Sequence, residues 1–382
     1  LTDAMRGLRI GLVIGQLHRG GAETQLVALA EGLKRDHDME PVVYCLSRVT
    51  EPNGPRLQRA GVTVHAFSRR GLSRLTRPWR LRRSLSRDRI DVVNAHLLGP
   101  TVQTSVAILG TGMPFVSSYW SADLVRPAIW KRLESWAMGA TDLVTANSRA
   151  GSDFVHSYYG VPSAKLRLIS SGVTLAGLPA RAEARRSLGL PEDAPVVLGL
   201  FRLSPEKELD LFCRVVEGAL GDLPGSTCLI AGDGPLRGWL EERVRGSSHR
   251  QCFRLLGPSD EVPTLLAAAD LMLLTSRFEG MPSAVLEAMA AALPVVATRV
   301  GDVPRLVENG ESGFLLPSGD EAGLLRGCRE ILESPALRRR MGERALALAR
   351  SRFSMENMID GYARVYRDVS RRARAPAAAA GS

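Results

Sequence analysis

Glu279 and Glu287 stand eight residues apart in the stretch Phe278-Glu279-Gly280-Met281-Pro282-Ser283-Ala284-Val285-Leu286-Glu287. An apolar run of strand length at 270–275 precedes it, and a segment rich in Ala, Leu and Met at 283–292 follows, so the order reads strand, loop, helix. With Ser283 as the expected N-cap, Glu287 falls one turn into the helix, about 6 Å along its axis, while Glu279 stays in the loop. Free backbone N–H groups of the loop and helix start then face an anion, with one carboxylate on each side to accept hydroxyl hydrogen bonds. A ligand carrying both a diphosphate and sugars suits that arrangement. Taken alone, a surface acid beside an acid that stabilises a helix N-terminus explains the same pattern.

Other residue types in strand-end positions add to this chemistry. Arg202 follows the expected strand 196–201, and Lys207 comes five residues later at a helix start marked by Ser204-Pro205. Two cations beside a helix N-terminus neutralise the charge that grows on a leaving diphosphate, although ordinary surface charge gives the same pair. Gly232 and Gly234 in Ala231-Gly232-Asp233-Gly234-Pro235 allow tight backbone passage beside a ligand, or simply a turn. Gly257-Pro258 follows the third strand of this half at a similar level, where a nucleobase has room to lie. In the first half, Gly20-Gly21-Ala22-Glu23 marks a strand-to-helix junction, but without the G-x-G-x-x-G spacing, which counts against a nicotinamide or flavin dinucleotide. His96 ends the run 91–96, and ligands in open α/β sheets sit beyond the carboxyl ends of strands. It is both a candidate sugar contact and a candidate structural histidine.

The elements that must carry these residues alternate. Apolar runs at 8–14, 42–46, 62–67, 92–96, 115–118 and 143–146 have helical stretches between most of them, which implies an α/β fold with a parallel sheet covered on both faces. The alternation restarts after a helix-like connector at 178–190, with runs at 196–201, 227–231, 253–256, 270–275, 294–297 and 313–316. Two similar domains are expected, 1–175 and 176–354. A helix at about 355–372, apolar along Met358, Tyr362, Val365, Tyr366 and Val369, is expected to cross back to the first domain. The Ala- and Pro-rich tail 375–382 reads as a linker or disordered end.

The chain has 382 residues, enough for two cores, and a net charge of +10 that favours anionic partners. No basic stretch is interleaved with aromatics as base stacking requires, which argues against nucleic acid. Five cysteines with no C-x-x-C pair argue for reduced thiols and a cytoplasmic protein. No apolar run is long enough to span a bilayer, so membrane contact is expected to be peripheral at most. Nine arginines between Arg69 and Arg89, interleaved with leucines and Trp79, fit either contact with an anionic membrane or a solvated helix whose leucines face the sheet. Asp36-His37-Asp38 has the spacing of many metal-dependent sugar transferases, yet it lies between a helix and the following strand, the wrong end of the sheet, and reads as a surface loop.

Gly-Gly-Ala-Glu, His96, the Arg202/Lys207 pair, Gly-Asp-Gly-Pro and the two glutamates occur in one order from Gly20 to Tyr366, and together they resemble the retaining GT-B glycosyltransferases of family 4. The resemblance implies two Rossmann-like domains facing each other across a cleft, the first on the acceptor side and the second binding a nucleotide-sugar. It implies Arg202 and Lys207 on the diphosphate, Glu279 on the donor sugar, Glu287 on the ribose, His96 near the reacting carbon and Gly21 near the diphosphate. Gly280, Met281, Pro282 and Ser283 would line sugar and phosphate through the backbone, Pro282 without a donor, and Gly232 and Gly257 would line the donor as well. The reaction implied is transfer with retention to a glycan or lipid-linked acceptor, with no cofactor, no metal and no dedicated nucleophile. Phe201 and Glu208 stand where the family has glycines, and Ser171 and Thr174 where Asn and Asp are commoner. The competing readings are a nucleotide-sugar binding protein without activity and a sugar-nucleotide epimerase on the same fold. Acceptor contacts are expected from 118–123.

Overall fold

The computed structural model of the chain describes residues 7–18, 20–67, 73–120, 127–174 and 177–379. The chain forms two compact units, Leu1–Gly172 with Met355–Ser382, and Val173–Ser354.

Among the described residues of the first unit, seven strands form one sheet: β1 Leu8–Ile14, β2 Met39–Cys45, β3 Thr63–Ala66, β4 Val92–His96, β5 Phe115–Tyr119, β6 Leu143–Ala146 and β7 Leu166–Leu168. Their order is β3-β2-β1-β4-β5-β6-β7 and every pairing is parallel. Each residue of β4, β5 and β6 is buried, polar Asn94, Ser117, Ser118 and Thr145 included, as central strands covered on both faces must be. The strand order reverses between β1 and β4, which opens a crevice beyond Ile14 and His96. Strand β7 was not expected, because its three residues are mostly exposed and offer no apolar run.

The last helix, Met355–Ala379, belongs to this unit. It buries Met358, Ile359, Tyr362, Val365, Tyr366 and Val369 against Leu26, Leu29 and Leu33 of the helix Gly21–Asp36 and against the sheet. Gly32 is the point of closest approach, since a Cβ there would collide with the Ile359 side chain. The tail expected as disordered from residue 375 instead continues this helix to Ala379, in keeping with the high helix propensity of alanine; residues 380–382 lie outside the described residues.

The second unit holds six strands among the described residues: β8 Val196–Leu200, β9 Thr227–Ala231, β10 Phe253–Gly257, β11 Leu271–Leu274, β12 Val295–Thr298 and β13 Gly313–Leu316, ordered β10-β9-β8-β11-β12-β13 and all parallel. Asp270 precedes β11 instead of starting it. Its buried carboxylate receives Arg181 at 2.5 Å, Arg185 at 2.8 Å, Arg338 at 3.1 Å and the backbone N–H of Val196 at 2.8 Å, and so clips the connector helix Arg181–Ser187 to the sheet. Here the order reverses between β8 and β11. The loops after those two strands carry Arg202, Lys207 and Glu279.

Candidate active site

Four contacts stitch the β8 loop to the β11 loop. The Lys207 ammonium lies 2.5 Å from Glu279 Oε1, with both side chains largely buried. Arg277 pairs with Glu208 at 2.5 Å and donates its backbone N–H to the Glu206 carbonyl at 2.8 Å, and the Thr275 hydroxyl donates to the Lys207 carbonyl at 2.9 Å. Pro205–Lys207 form one 3₁₀ turn, after which Glu208 adopts φ 51 and ψ 52 before the helix Leu209–Leu220 begins. That left-handed conformation is the physical reason for a glycine there. Glu208 bears the strain and uses its side chain to hold Arg277 instead. Arg202 is exposed, and no carboxylate among the described residues lies within ion-pair distance of its guanidinium.

Glu279 is 7% exposed. Its Oε1 takes both Lys207 and the Ser276 hydroxyl, the latter at 2.6 Å, which leaves Oε2 without a partner among the described residues. The helix that follows spans Ser283–Ala290 with Pro282 as its N-cap, so Ser283 is the first helical residue and not the cap; no side chain caps this end. Proline fills the position because its fixed φ suits helix entry and it has no N–H to leave unsatisfied. The backbone N–H groups of Gly280, Met281, Ser283 and Ala284 consequently have no acceptor among the described residues. They form the anion-seeking end of the helix dipole. Met281 and Pro282 are buried, Met281 in the core, which fixes the loop from below.

Glu287 is only partly exposed and has no hydrogen-bond or ion-pair partner among the described residues. Burial holds its proton far above the ordinary carboxylate range, pushing the pKa up to about 7. A buried carboxyl without a partner is a group whose polar needs a ligand can meet.

Gly232 and Gly257 are used inside the fold. Gly232 donates its N–H to the Gly257 carbonyl at 2.9 Å, and at φ 144 it passes so close to the Phe201 carbonyl that a Cβ would collide with it. Gly234 passes the Leu203 carbonyl equally closely. The expectation that the Gly-Asp-Gly turn makes room for a ligand is corrected to this extent: the backbone it makes room for is the β8 loop, and the Gly232 N–H is already engaged. Gly257, at φ 67, closes a bulge in β10 and shares a small indentation with Gly232, Leu203, Arg237 and Leu255. Phe201, in place of the family's glycine, is 8% exposed and packs edge-on to Phe212 at 5.1 Å over Gly199.

The corresponding crevice of the first unit carries His96 and Gly21. Gly20 is the N-cap of the helix Gly21–Asp36, whose first residue, Gly21, is exposed. Glu23 folds back over Gly20, is 5% exposed, and lies 3.1 Å from His18 Nδ1. His96 is fully buried, and neither ring nitrogen has a hydrogen-bond partner among the described residues. Burial lowers its pKa to about 3, so the ring is neutral. Trp120 lies over it at 4.6 Å between ring centroids.

A polar network holds that tryptophan. Trp120 Nε1 donates to the Tyr362 hydroxyl at 3.0 Å, which also meets Thr145 at 3.2 Å and Ser118 at 3.3 Å. Ser118 donates to Asn94 at 3.0 Å, and Asn94 donates to the Tyr366 hydroxyl at 2.7 Å. Of the stretch expected to meet an acceptor, Ser118, Tyr119 and Trp120 are seen here, and 121–123 lie outside the described residues.

Several residues of these sites were not anticipated. Arg277 and Tyr362 act through partners distant in sequence, and Ser276 through Glu279 three residues on. Gly301, by contrast, had a signal: like Gly232 it follows a strand, and at φ 50 it lies against the Glu279 carbonyl so closely that a Cβ would collide with it. Next to it, the N–H of Asp302 donates to the Gly280 carbonyl at 3.1 Å. Asp36-His37-Asp38 is a helix end, with Asp36 bonded to Arg35 and His37 3.0 Å from Asp360. Among the described residues, no group of three or more His, Cys, Asp or Glu is arranged to hold a metal ion.

Known proteins share both the sequence and the fold. The glycosyltransferase family 4 model matches residues 19–176, and the glycosyl transferases group 1 model matches residues 180–347. The chain is 36% identical over 143 residues to the N-acetyl-alpha-D-glucosaminyl L-malate synthase of Bacillus anthracis, covering 37% of this chain and 38% of that protein. It is 31% identical over 195 residues to the alpha-D-kanosaminyltransferase of Streptomyces kanamyceticus, covering 50% and 49%. The chain thus spans less than half the length of these two relatives. In structure it is similar to HepE of Anabaena in complex with UDP, with a TM-score of 0.80 at 22% identity over 94% of this chain and 100% of that one. A glycosyltransferase of Rickettsia africae gives a TM-score of 0.81 at 17% identity over 95% and 98%. At these identities the likeness concerns the fold, two parallel-sheet Rossmann-like units of GT-B type. With consecutive family models over both halves, the chain belongs to the GT-B glycosyltransferases of group 1, family 4.

Proposed function

We propose that the chain transfers a sugar from a nucleoside-diphosphate-sugar to an acceptor hydroxyl in glycan, glycolipid or cell-envelope polysaccharide biosynthesis, with retention and without a metal. The observation that carries this reading is the β8–β11 crevice, where the Lys207–Glu279 pair and exposed Arg202 adjoin four unengaged backbone N–H groups. The diphosphate lies on Arg202, Lys207 and the N–H groups of Gly280, Met281, Ser283 and Ala284, and these neutralise the charge that grows as the bond from the anomeric carbon to the phosphate oxygen breaks. Glu279 Oε2 accepts a donor-sugar hydroxyl, and Glu287 accepts the ribose hydroxyls. The acceptor oxygen bonds to the same face of the sugar, and the leaving phosphate takes its proton. In the first unit, neutral His96 and exposed Gly21 stand at the β1–β4 crevice, where the reading puts the acceptor side.

Among the described residues no helix is long and apolar enough to cross a membrane. The reading is of a cytoplasmic enzyme in peripheral contact with anionic membrane through the arginines of 69–89, of which 69–72 lie outside the described residues.

Product analysis of the full chain with a panel of nucleoside-diphosphate-sugars tests the reading. Transfer to an added acceptor, or slow donor hydrolysis without one, with the anomeric configuration kept, is the expected result. Interconversion of donors with no acceptor present would make it an epimerase, and tight donor binding with no turnover a binding protein.

A further inference from the structure

We infer that the outward layer of the helices Ser73–Arg87, Leu98–Ile108 and Ala128–Gly139 docks on an anionic phospholipid bilayer, with Ala128–Gly139 as the element that enters the headgroup region. This surface takes in residues 73–87 of the arginine segment, so it rests on the membrane contact proposed above and extends it to two further helices; it does not depend on the transferase chemistry.

The three helices pack side by side. On the last of them Ile129, Leu133 and Trp136 recur at i, i+4 and i+7 and are 76%, 36% and 42% exposed, with Trp130 beside them at 53%. A stripe of this kind ordinarily faces a core. Here the buried side of the helix is a different one, Ala137 and Met138. On the middle helix Val106 is exposed, as is Leu109 at its C-cap, whose carbonyl receives the Arg82 guanidinium at 3.1 Å. Trp79 is exposed on the first helix, so three of the chain's five tryptophans stand on this layer. Tryptophan favours the boundary between hydrocarbon and headgroups.

Charge names the occupant. The three helices contain one acid, Glu134, and it is 3% exposed and hydrogen-bonded by Tyr159. Exposed on the same layer are Arg132 on the last helix and Arg80, Arg82, Arg83 and Arg87 on the first, Arg80, Arg83 and Arg87 beside Trp79 and Arg87 paired with Asp88 at 3.2 Å. Exposed apolar residues and cations on three helices that expose no carboxylate of their own fit a surface of anionic lipid. A second copy of the chain would bring the same cations against each other.

Sedimentation of the full chain with phosphatidylcholine vesicles, with and without phosphatidylglycerol, tests this. Binding is expected only to the anionic vesicles at low salt, with a blue shift of tryptophan emission. The double variant Leu133→Ser, Trp136→Ser should lower the partition coefficient roughly tenfold while keeping its salt dependence, and Arg80→Gln, Arg83→Gln, Arg87→Gln should flatten that dependence. Ile129→Ser serves as a second, milder apolar variant, and unchanged melting temperatures establish that the variants are folded. Failure of the folded wild type to sediment at low salt, or an unchanged partition of the apolar variants, overturns the proposal. A dimer that the double variant abolishes, with no vesicle binding, would assign the face to a second copy.

Discussion

The two units reverse their strand order at equivalent places, after β1 and β4 in one and after β8 and β11 in the other, yet the crevices differ in chemistry. The second carries charge: an exposed arginine, a buried lysine–glutamate pair, a partnerless carboxyl and four open N–H groups. The first carries none at its centre; His96 is neutral, covered by Trp120 and backed by hydroxyls of Ser118, Thr145 and Tyr362. Topology thus supplies two crevices, and the proposed division between an anion in the second and uncharged hydroxyls in the first rests on the side chains at the strand ends.

Lys207→Ala should break the charged side most severely. Removing the lysine leaves Glu279 buried and unpaired, so stability should fall by about 3 kcal/mol and turnover by roughly 100-fold or more. Arg202→Ala should cost a similar factor in turnover with an unchanged melting temperature, because Arg202 is exposed and without an ion-pair partner among the described residues. Denaturant titration beside single-turnover kinetics separates the two; equal losses of stability would contradict the division of roles.

The two crevices should also respond to pH in opposite senses. Glu287 ionises at about 7 in the folded protein, above its unfolded value. As pH rises from the ordinary carboxylate range through 7, the unfolded chain releases a proton that the folded one keeps, and stability falls, to a limit of about 3 kcal/mol. His96 titrates near 3 when folded. As pH falls below about 6.5 the unfolded chain gains a proton the folded one refuses, and stability falls in that direction, by about 3 kcal/mol at pH 4 and to a limit of about 5 kcal/mol. Glu287→Gln should therefore stabilise the ligand-free protein at pH 8 and leave it unchanged at pH 4, while His96→Gln should flatten the acid side of the profile. Thermal melts across pH 4–8 check both.

The smallest effect is expected at Tyr362→Phe, which deletes the acceptor for the Trp120 indole and should cost about 1 kcal/mol. It should change the emission of Trp120 and reduce turnover while leaving nucleotide affinity alone. A loss of nucleotide affinity would mean the two crevices are not chemically separate.

Strand runs such as Val196–Leu200 and Thr227–Ala231 were legible because buried parallel strands are predominantly apolar, and the residues after them were candidates because ligands gather at strand ends. Arg202, Lys207, Glu279 and Glu287 stood out for that reason. What joins them did not: Lys207 and Glu279 are 72 residues apart, and Trp120 and Tyr362 are 242 apart, so neither contact has a local signature. The use of Gly232 was not decided by its residue type, because a close approach to a ligand and to a neighbouring loop demand the same residue. Ser283 was taken for the N-cap by its side chain, while Pro282 holds that place by its fixed φ.

The most direct test of the central claim, that the β8–β11 crevice holds a nucleoside diphosphate, is a calorimetric titration of wild type and Arg202→Ala with the nucleoside diphosphate that most raises the melting temperature. The account predicts saturable one-site binding to the wild type, weakened at least tenfold in the variant, with the affinity for the corresponding free nucleoside unchanged. Equal affinity of both proteins for the diphosphate would contradict it.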